Sequence, residues 1–180
     1  MILMHICCGP CAIYPSKILT GQNLDFDVYF YNPNIHPRTE FEKRKETAAL
    51  WAQMGNIRII SSDEYFEEPW KIEDLSKEDR CRACYELRIS QTCRYAKNNG
   101  YDSVTSTLLV SPYQQHDLII EIFKKLISRN HLRFVYFDFR QGFREGQRIA
   151  SEMGLYKQKY CGCAPSIQES SYMQRKLQNS

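Results

Sequence analysis

The sequence predicts an α/β domain with a mostly parallel sheet covered by helices on both faces. Five short aliphatic or aromatic runs alternate with helix-like segments of ten or more residues, the pattern of repeated strand, crossover and strand. Apolar residues make up 43% and charged residues 25%, with no low-complexity stretch, as expected of an ordinary globular chain. The 180 residues suffice for one core and are too few for two comfortable ones. A single domain over 1–170 is expected, with 171–180 as a polar tail.

The first run, Met1 to Ile6, is aliphatic and stops at Cys7-Cys8-Gly9-Pro10-Cys11, so it reads as a buried strand delivering thiols to its carboxyl end. Open α/β sheets build their sites at that edge. On a flat strand Cys7 and Cys8 point to opposite faces, and Gly9 is expected to turn the backbone so that both reach one centre. A short helix follows, with Pro15 expected in its first turn and Gly21 at its stop.

Asp27 to Tyr31 is a second strand, with Asn32-Pro33-Asn34 as its exit turn. Thr39 to Glu42 reads as a capping box opening a helix to about Met54, ended by Gly55. Asn56 to Ser61 is a third strand, and the acidic, aromatic stretch from Tyr65 to Trp70 has no clear period. Cys81 to Asn98 reads as a helix whose apolar stripe is Tyr85, Ile89, Cys93 and Ala96, which makes Cys93 a core thiol.

Ser103 to Val110 is a strand, and Ser111-Pro112-Tyr113-Gln114 combines an N-cap, a proline at N1 and a Gln at N3. The helix it opens carries Leu118, Ile119, Ile122, Phe123, Leu126 and Ile127 and stops near Asn130. Leu132 to Phe137 is a further strand and Phe143 to Met153 a further helix, before Tyr160-Cys161-Gly162-Cys163.

Nothing at the start resembles a signal peptide, and no stretch approaches membrane-spanning length. A reducing cytoplasm is therefore the expected location, where eight cysteines serve as ligands or redox groups in preference to structural disulfides. The net charge of +3 and pI near 8.4 permit a polyanionic partner without demanding one. Basic residues cluster at Arg38, Lys43, Arg44 and Lys45 and near the end at Arg175-Lys176. Arg140, Arg144 and Arg148 recur every four residues, a spacing that puts them on one helical face.

Three thiol groups stand out: Cys7-Cys8-x-x-Cys11, Cys81-x-x-Cys84 and Cys161-x-Cys163. A two-residue spacer at a helix start lets two sulfurs face one point, which suits metals, clusters and dithiols alike. Cys8-Gly-Pro-Cys11 is the thioredoxin-type tetrapeptide, but a preceding cysteine would scramble a clean dithiol. Structural zinc would take Cys7 or Cys8, Cys11, Cys81 and Cys84, leaving Cys161-Gly-Cys163 unexplained. A disulfide across one residue closes a small, strained ring, so that pair suits turnover. An iron-sulfur site uses the sulfurs most economically: four hold a cluster and the rest serve a second metal or a dithiol.

Asp79, two residues before Cys81, offers an oxygen ligand or a proton; the alternative is a carboxylate favoured by a helix N-terminus. His5 reads as a core histidine, His116 as a first-turn helix residue, and His36 and His131 as loop residues. Tyr31, Tyr85, Tyr113 and Tyr160 adjoin the motif loops and offer stacking faces for bases.

Six motifs, taken together and in order, resemble the QueH-type epoxyqueuosine reductases. They are Cys7-Cys-Gly-Pro-Cys11, Tyr31-Asn-Pro-Asn-Ile35, Asp79-Arg-Cys-Arg-Ala-Cys-Tyr85, Thr107 to His116, Asp138-Phe-Arg140 and Leu155 to Cys163. The resemblance runs from the first strand to Ser166. It implies a Rossmann-like fold of the adenine-nucleotide-hydrolase (HUP) kind, a 4Fe-4S cluster, and removal of the epoxide oxygen from epoxyqueuosine at the wobble position of tRNA.

Carried over by motif, Cys7, Cys8, Cys81 and Cys84 would hold the cluster, and Cys161 and Cys163 would form a redox pair or help bind a second, mononuclear iron. Cys11 and Asp79 are candidates for that second metal, whereas Cys93 matches no family cysteine. The Ser-Gly-Gly-x-Asp-Ser phosphate loop of related ATP-pyrophosphatases is absent, and thiols stand in its place.

Deoxygenation needs two electrons and two protons and releases water. The second iron is expected to act as Lewis acid on the epoxide oxygen, and Asp79, His116 or a tyrosine to supply a proton. Arg38, Arg44, Arg140 and Arg144 are the expected phosphate contacts, with Tyr113 and His116 also at the substrate. The expected partners are the tRNA and an unidentified electron donor, with the chain a monomer. Competing readings are thioredoxin-like thiol exchange and a non-catalytic, zinc-stabilised RNA-binding module.

Overall fold

The computed structural model describes residues 1–68 and 75–170. Trp70, the Arg175-Lys176 pair and the expected tail 171–180 lie outside the described residues. The strands are β1 (Ile2–Ile6), β2 (Phe26–Phe30), β3 (Ile59–Ser61), β4 (Ser103–Ser106) and β5 (Arg133–Phe134). They form one sheet in the order β3-β2-β1-β4-β5, every neighbouring pair parallel. The expected α/β class with a parallel, Rossmann-like sheet is therefore what the chain adopts.

The helices are α1 (Gly9–Gly21), α2 (Arg38–Met54), α3 (Lys77–Asn98), α4 (His116–Asn130), α5 (Phe143–Glu152) and the short α6 (Ala164–Glu169). The period of two along β1 sorts them to the two faces. Ile2, Met4 and Ile6 share a cluster with Leu19 of α1, Trp51 of α2 and Ala150 of α5. Leu3 and Cys7 share another with Ile89 of α3 and Ile119 and Phe123 of α4. Each fully buried Leu, Ile or Phe contributes about 1.5–3 kcal/mol of transfer free energy, so the double-sided burial of β1 anchors the fold. His5 is fully buried, held by Ser106 Oγ at 2.9 Å and the Tyr31 carbonyl at 3.1 Å, and burial lowers its pKa to about 4.

The chain leaves β1 towards β2 on one side and later returns to β4 on the other. The crevice beyond the carboxyl ends of β1 and β4 is thus the topological switch point, and Cys7 stands in it.

Several boundaries differ from the sequence reading. The first helix begins at Gly9, directly after Cys8 in extended backbone, so Pro10 occupies the first turn and Pro15 lies in the helix interior. Gly9 has ordinary backbone; what requires glycine is space, because a Cβ there would lie 2.8 Å from the Thr47 carbonyl of α2. The Thr39 capping box does not form: the Pro37 carbonyl accepts from Glu40 and Phe41 amides, which puts Thr39 inside α2.

The capping box belongs instead to α3, where Ser76 Oγ accepts from the Asp79 amide and donates to its carboxylate. That starts the helix at Lys77 instead of at Cys81. β4 ends at Ser106 and Thr107–Val110 form a 3-10 turn, capped by Ser106 Oγ at the Leu108 amide. Ser111–Gln114 closes as a turn, because the Gln115 amide is taken by Tyr85 Oη from α3; the helix then begins at His116. The strand expected over 132–137 pairs only at Arg133 and Phe134. Cys93 is fully buried in the core, as its place in the apolar stripe of α3 required.

Candidate thiol-lined active site

A cavity of about 480 Å³ opens at the switch point, and thiols from all three sequence groups line it: Cys7 and Cys11, Cys81, and Cys161 with Cys163. Cys8 and Cys84 are buried and do not line it. Three elements bring these groups together. The end of β1 and the first turn of α1 carry Cys7, Cys8 and Cys11, whose sulfurs all lie within 4.8 Å of one another. The amino-terminal turns of α3 carry Cys81 and Cys84. The loop before α6 carries Cys161 and ends with Cys163 as helix cap.

Most of these sulfurs are met by a polar hydrogen. Asn34 Nδ2 donates to Cys84 Sγ at 3.2 Å, Gln158 Nε2 to Cys11 Sγ at 3.2 Å and Gln114 Nε2 to Cys161 Sγ at 3.3 Å. Thr107 Oγ1 accepts from the Cys7 amide at 3.1 Å and lies 3.5 Å from its sulfur. Such donors favour the thiolate, the form that binds metal or attacks a disulfide.

Among the three clustered thiols, hydrogen bonds from Cys11 and Cys8 hold Cys7 well below the usual thiol range. Burial and its neighbours push Cys8 up, and the bond to Cys7 pushes Cys11 up. Burial pushes Cys84 up to about 11 against the pull of Arg88. Burial raises Cys81 too, with the nearby Cys161 and Cys163 sulfurs adding to it.

The loop that carries Cys161 and Cys163 is pinned from below. Arg44, 1% exposed, donates to the carbonyls of Cys161 (2.8 Å) and Tyr160 (2.9 Å) and to Glu40 (2.7 Å). Tyr156 Oη donates to the other Glu40 oxygen at 2.6 Å. Gly162 sits at φ +131° with Arg44 and Ile35 at 3.1 Å from where a Cβ would be, so only glycine serves both the conformation and the approach. Its carbonyl accepts from the His36 amide at 2.8 Å, and its amide donates to Ser166 Oγ at 3.1 Å.

This placement corrects the expected phosphate contact at Arg44, which is buried beneath the thiol loop and spent on it. Arg38 is exposed but paired with Glu42 and Glu67, and Arg140 is paired with Asp138. Arg140 lies in a 3-10 turn (Phe139–Gly142) before α5, so it does not share the helical face of Arg144 and Arg148. Arg144 is exposed on α5.

Asp79 bonds to Ser76 in the first turn of α3, the helix-terminus placement, and is not among the residues that line the cavity. His116 is buried in the first turn of α4, 3.8 Å from Asp117 and from Asp138, and borders a separate hollow with Glu78, Arg82 and Glu121. It is therefore not a contact within the thiol cavity.

Tyr85, Tyr113 and Tyr160 line the cavity; Tyr31 is buried against Tyr29 instead. Tyr85 Oη donates to Gln114 Oε1 at 2.6 Å, and burial raises its pKa. Tyr160 Oη donates to the His36 carbonyl. Tyr113 is 82% exposed at the rim, edge-on to Phe143.

Arg88, Asn34, Gln114 and Gln158 carry no site role in the sequence reading, although Arg88 is one turn beyond Cys84 and the other three lie inside the family-like motifs.

All eight thiols are free. The donor set fits a thiolate-held iron cofactor: two groups of cysteines converge on one cavity, with N–H donors aimed at sulfur. Cys7, Cys8 and Cys11, buried together, form a group that could hold a metal ion.

Comparison with known proteins agrees. The family model described as "Epoxyqueuosine reductase QueH" matches residues 2–169. A protein of Dehalococcoides mccartyi named epoxyqueuosine reductase QueH is 36% identical over 169 residues, 93% of each chain. One of the same name from Thermotoga maritima is 32% identical over 178 residues, covering 93% of this chain and 91% of its own. Another, from Staphylococcus epidermidis, is 30% identical over 177 residues, covering 90% and 74%. With this match along nearly its whole length and the motif cysteines gathered at one rim, the chain belongs to the epoxyqueuosine reductase QueH family.

Proposed function

We propose that this protein reduces the epoxide of epoxyqueuosine in the tRNA anticodon to give queuosine, as the names of its relatives describe for them. The observation that carries the reading is the convergence of thiols from three distant sequence groups on one cavity at the sheet's switch point. Cys7, Cys8, Cys81 and Cys84 would hold a 4Fe-4S cluster, and Cys11 is the remaining thiol nearest to serve a second iron. When bound, such a cofactor supplies single electrons and a Lewis-acid centre for the epoxide oxygen.

Cys161 and Cys163 complete the balance. Opening the epoxide to an alkene consumes two electrons and two protons and releases water; oxidation of two thiols to a disulfide yields two electrons and two protons. Gln114 orients Cys161 at the cavity, and Arg44 fixes the loop beneath both sulfurs. A separate electron donor must then restore the dithiol. Because Tyr85 and Tyr160 already donate their hydroxyl protons to Gln114 and His36, the thiols are the better-placed proton source.

Anaerobically purified protein is expected to be brown, to carry iron and sulfide, and to convert epoxyqueuosine-bearing tRNA with a low-potential reductant. Colourless protein containing zinc would replace this reading with a structural metal module. Colourless, metal-free protein active on disulfides would replace it with thioredoxin-like exchange.

Tyr113 at the rim offers a stacking face, and the exposed Arg38, Arg140 and Arg144 would offer positive charge to the anticodon stem-loop. Tyr113→Ala is expected to cost about 1–3 kcal/mol of tRNA binding, the usual worth of one stacked base, with KM rising and kcat held. Tyr113→Phe should stay near wild type, and affinity should fall steeply with salt. Equal KM values for all three proteins, measured with whole tRNA, would remove Tyr113 from the interface.

A further inference from the structure

Arg88 is a cation in a place that does not favour one. It is 2% exposed, yet among the described residues no carboxylate lies within ion-pair reach of it. The other buried arginines at this cavity differ: Arg44 is paired with Glu40 and Arg80 with Glu169. A buried charge without a partner costs several kcal/mol, so a fold that keeps one needs negative charge from elsewhere.

The surroundings indicate where that charge comes from. Arg88 lies one helical turn beyond Cys84 on α3 and lines the thiol cavity. Its Nε donates to Asn34 Oδ1 at 3.0 Å, while Asn34 Nδ2 donates to Cys84 Sγ at 3.2 Å. The amide is thus a relay: its oxygen faces the guanidinium and its N–H faces the sulfur. Asn34 is itself fixed in the buried turn after β2, at 1% exposure. Among the described residues no carboxylate uses the guanidinium nitrogens beyond Nε, and the residue opens on the cavity that thiols line.

We propose that Arg88, acting with Asn34 on Cys84, is the counter-charge of the thiolate-held cofactor and sets its reduction potential. This rests on the iron-sulfur reading above. The physical reason is one of sign. Four thiolates make the assembly negative, and reduction makes it more so; a fixed buried cation and an N–H···S bond both stabilise the reduced form more than the oxidised one. Arg88 is therefore a positioning and tuning residue: it raises the potential and eases electron entry.

The test is potentiometric titration of anaerobically purified holoprotein, followed by absorption and electron paramagnetic resonance, with iron counted per chain. Arg88→Gln removes the charge and should disfavour reduction by about tenfold, which for a one-electron couple is 59 mV towards more negative potential. Arg88→Lys keeps the charge and should stay within about threefold of wild type. Asn34→Asp fills the same space, neutralises Arg88 by pairing with it and removes the N–H donor to Cys84; it should shift the same way as Arg88→Gln.

Full iron content with an unmoved potential in both Arg88→Gln and Asn34→Asp would overturn the proposal while leaving the cofactor reading intact. Where Arg88→Gln yields no folded, iron-loaded protein, Asn34→Asp against Arg88→Lys decides. Wild-type protein without iron-sulfur absorption would overturn both readings together.

Discussion

Replacing Cys161 with serine is expected to lower turnover on the order of 10³-fold or more, the scale of loss when one member of a unit that acts together is removed. The argument is stoichiometric. A single thiol cannot close a disulfide, so the two electrons and two protons that two sulfurs release are no longer available at the cavity. Cys161 is exposed and belongs to neither pair assigned to the cluster, so iron content and visible absorption should match wild type. Cys163→Ser should behave alike, and the double variant should be no worse than either single one, since the pair works as one unit. Substantial multiple turnover by Cys161→Ser would remove the dithiol from the reaction. Normal single turnover followed by arrest would instead restrict it to the re-reduction step.

Why the sequence showed the thiol groups but not their supports follows from the range of the signals involved. The β1 run, the alternation of strands with helices and the apolar stripe of α3 are local patterns, and each survives into the structure: Leu3, Ile6, Ile89 and Cys93 are all fully buried. Element ends were less legible because their caps compete. Thr39 and Ser111 look like helix starts on their own, but the Pro37 carbonyl takes the Glu40 and Phe41 amides, and Tyr85 Oη from α3 takes the Gln115 amide that would have continued a helix from Ser111.

Arg44 was taken for a surface residue for the same reason. Arg38, Arg44, Arg80, Arg88 and Arg140 look alike in a sequence, where charge reads as surface. Burial separates them: Arg44 and Arg88 are among the largest fully buried side chains of the protein, and only the fold brings Glu40 and Asn34 to them. The thiol groups were visible because cysteine is scarce and its spacing is short; an amide that orients a sulfur from fifty positions away leaves no such mark, as with Asn34 and Cys84.

Arg44→Met is expected to destabilise the protein by about 3–5 kcal/mol, the usual cost of breaking a buried ion pair from one side. The side chain of Arg44 is 1% exposed and that of Glu40 8%, so removing the guanidinium leaves a carboxylate with only the Tyr156 hydroxyl to satisfy it. The Tyr160 and Cys161 carbonyls lose their donors as well. For a domain of this size the loss corresponds to a fall in Tm of roughly 6–20 °C. Glu40→Met in the same protein should return part of that stability, because most of the penalty is the orphaned charge and not the missing attraction.

The two quantities separate structure from function. Urea unfolding reads the first; the rate at which Cys161 and Cys163 are alkylated reads the second, because the loop that carries them loses its floor whether or not Glu40 is neutralised. The double variant should thus recover stability yet keep fast alkylation and poor turnover. If Arg44→Met unfolds within about 1 kcal/mol of wild type, below the range for a broken buried pair, the network beneath the thiol loop does not have the part assigned to it.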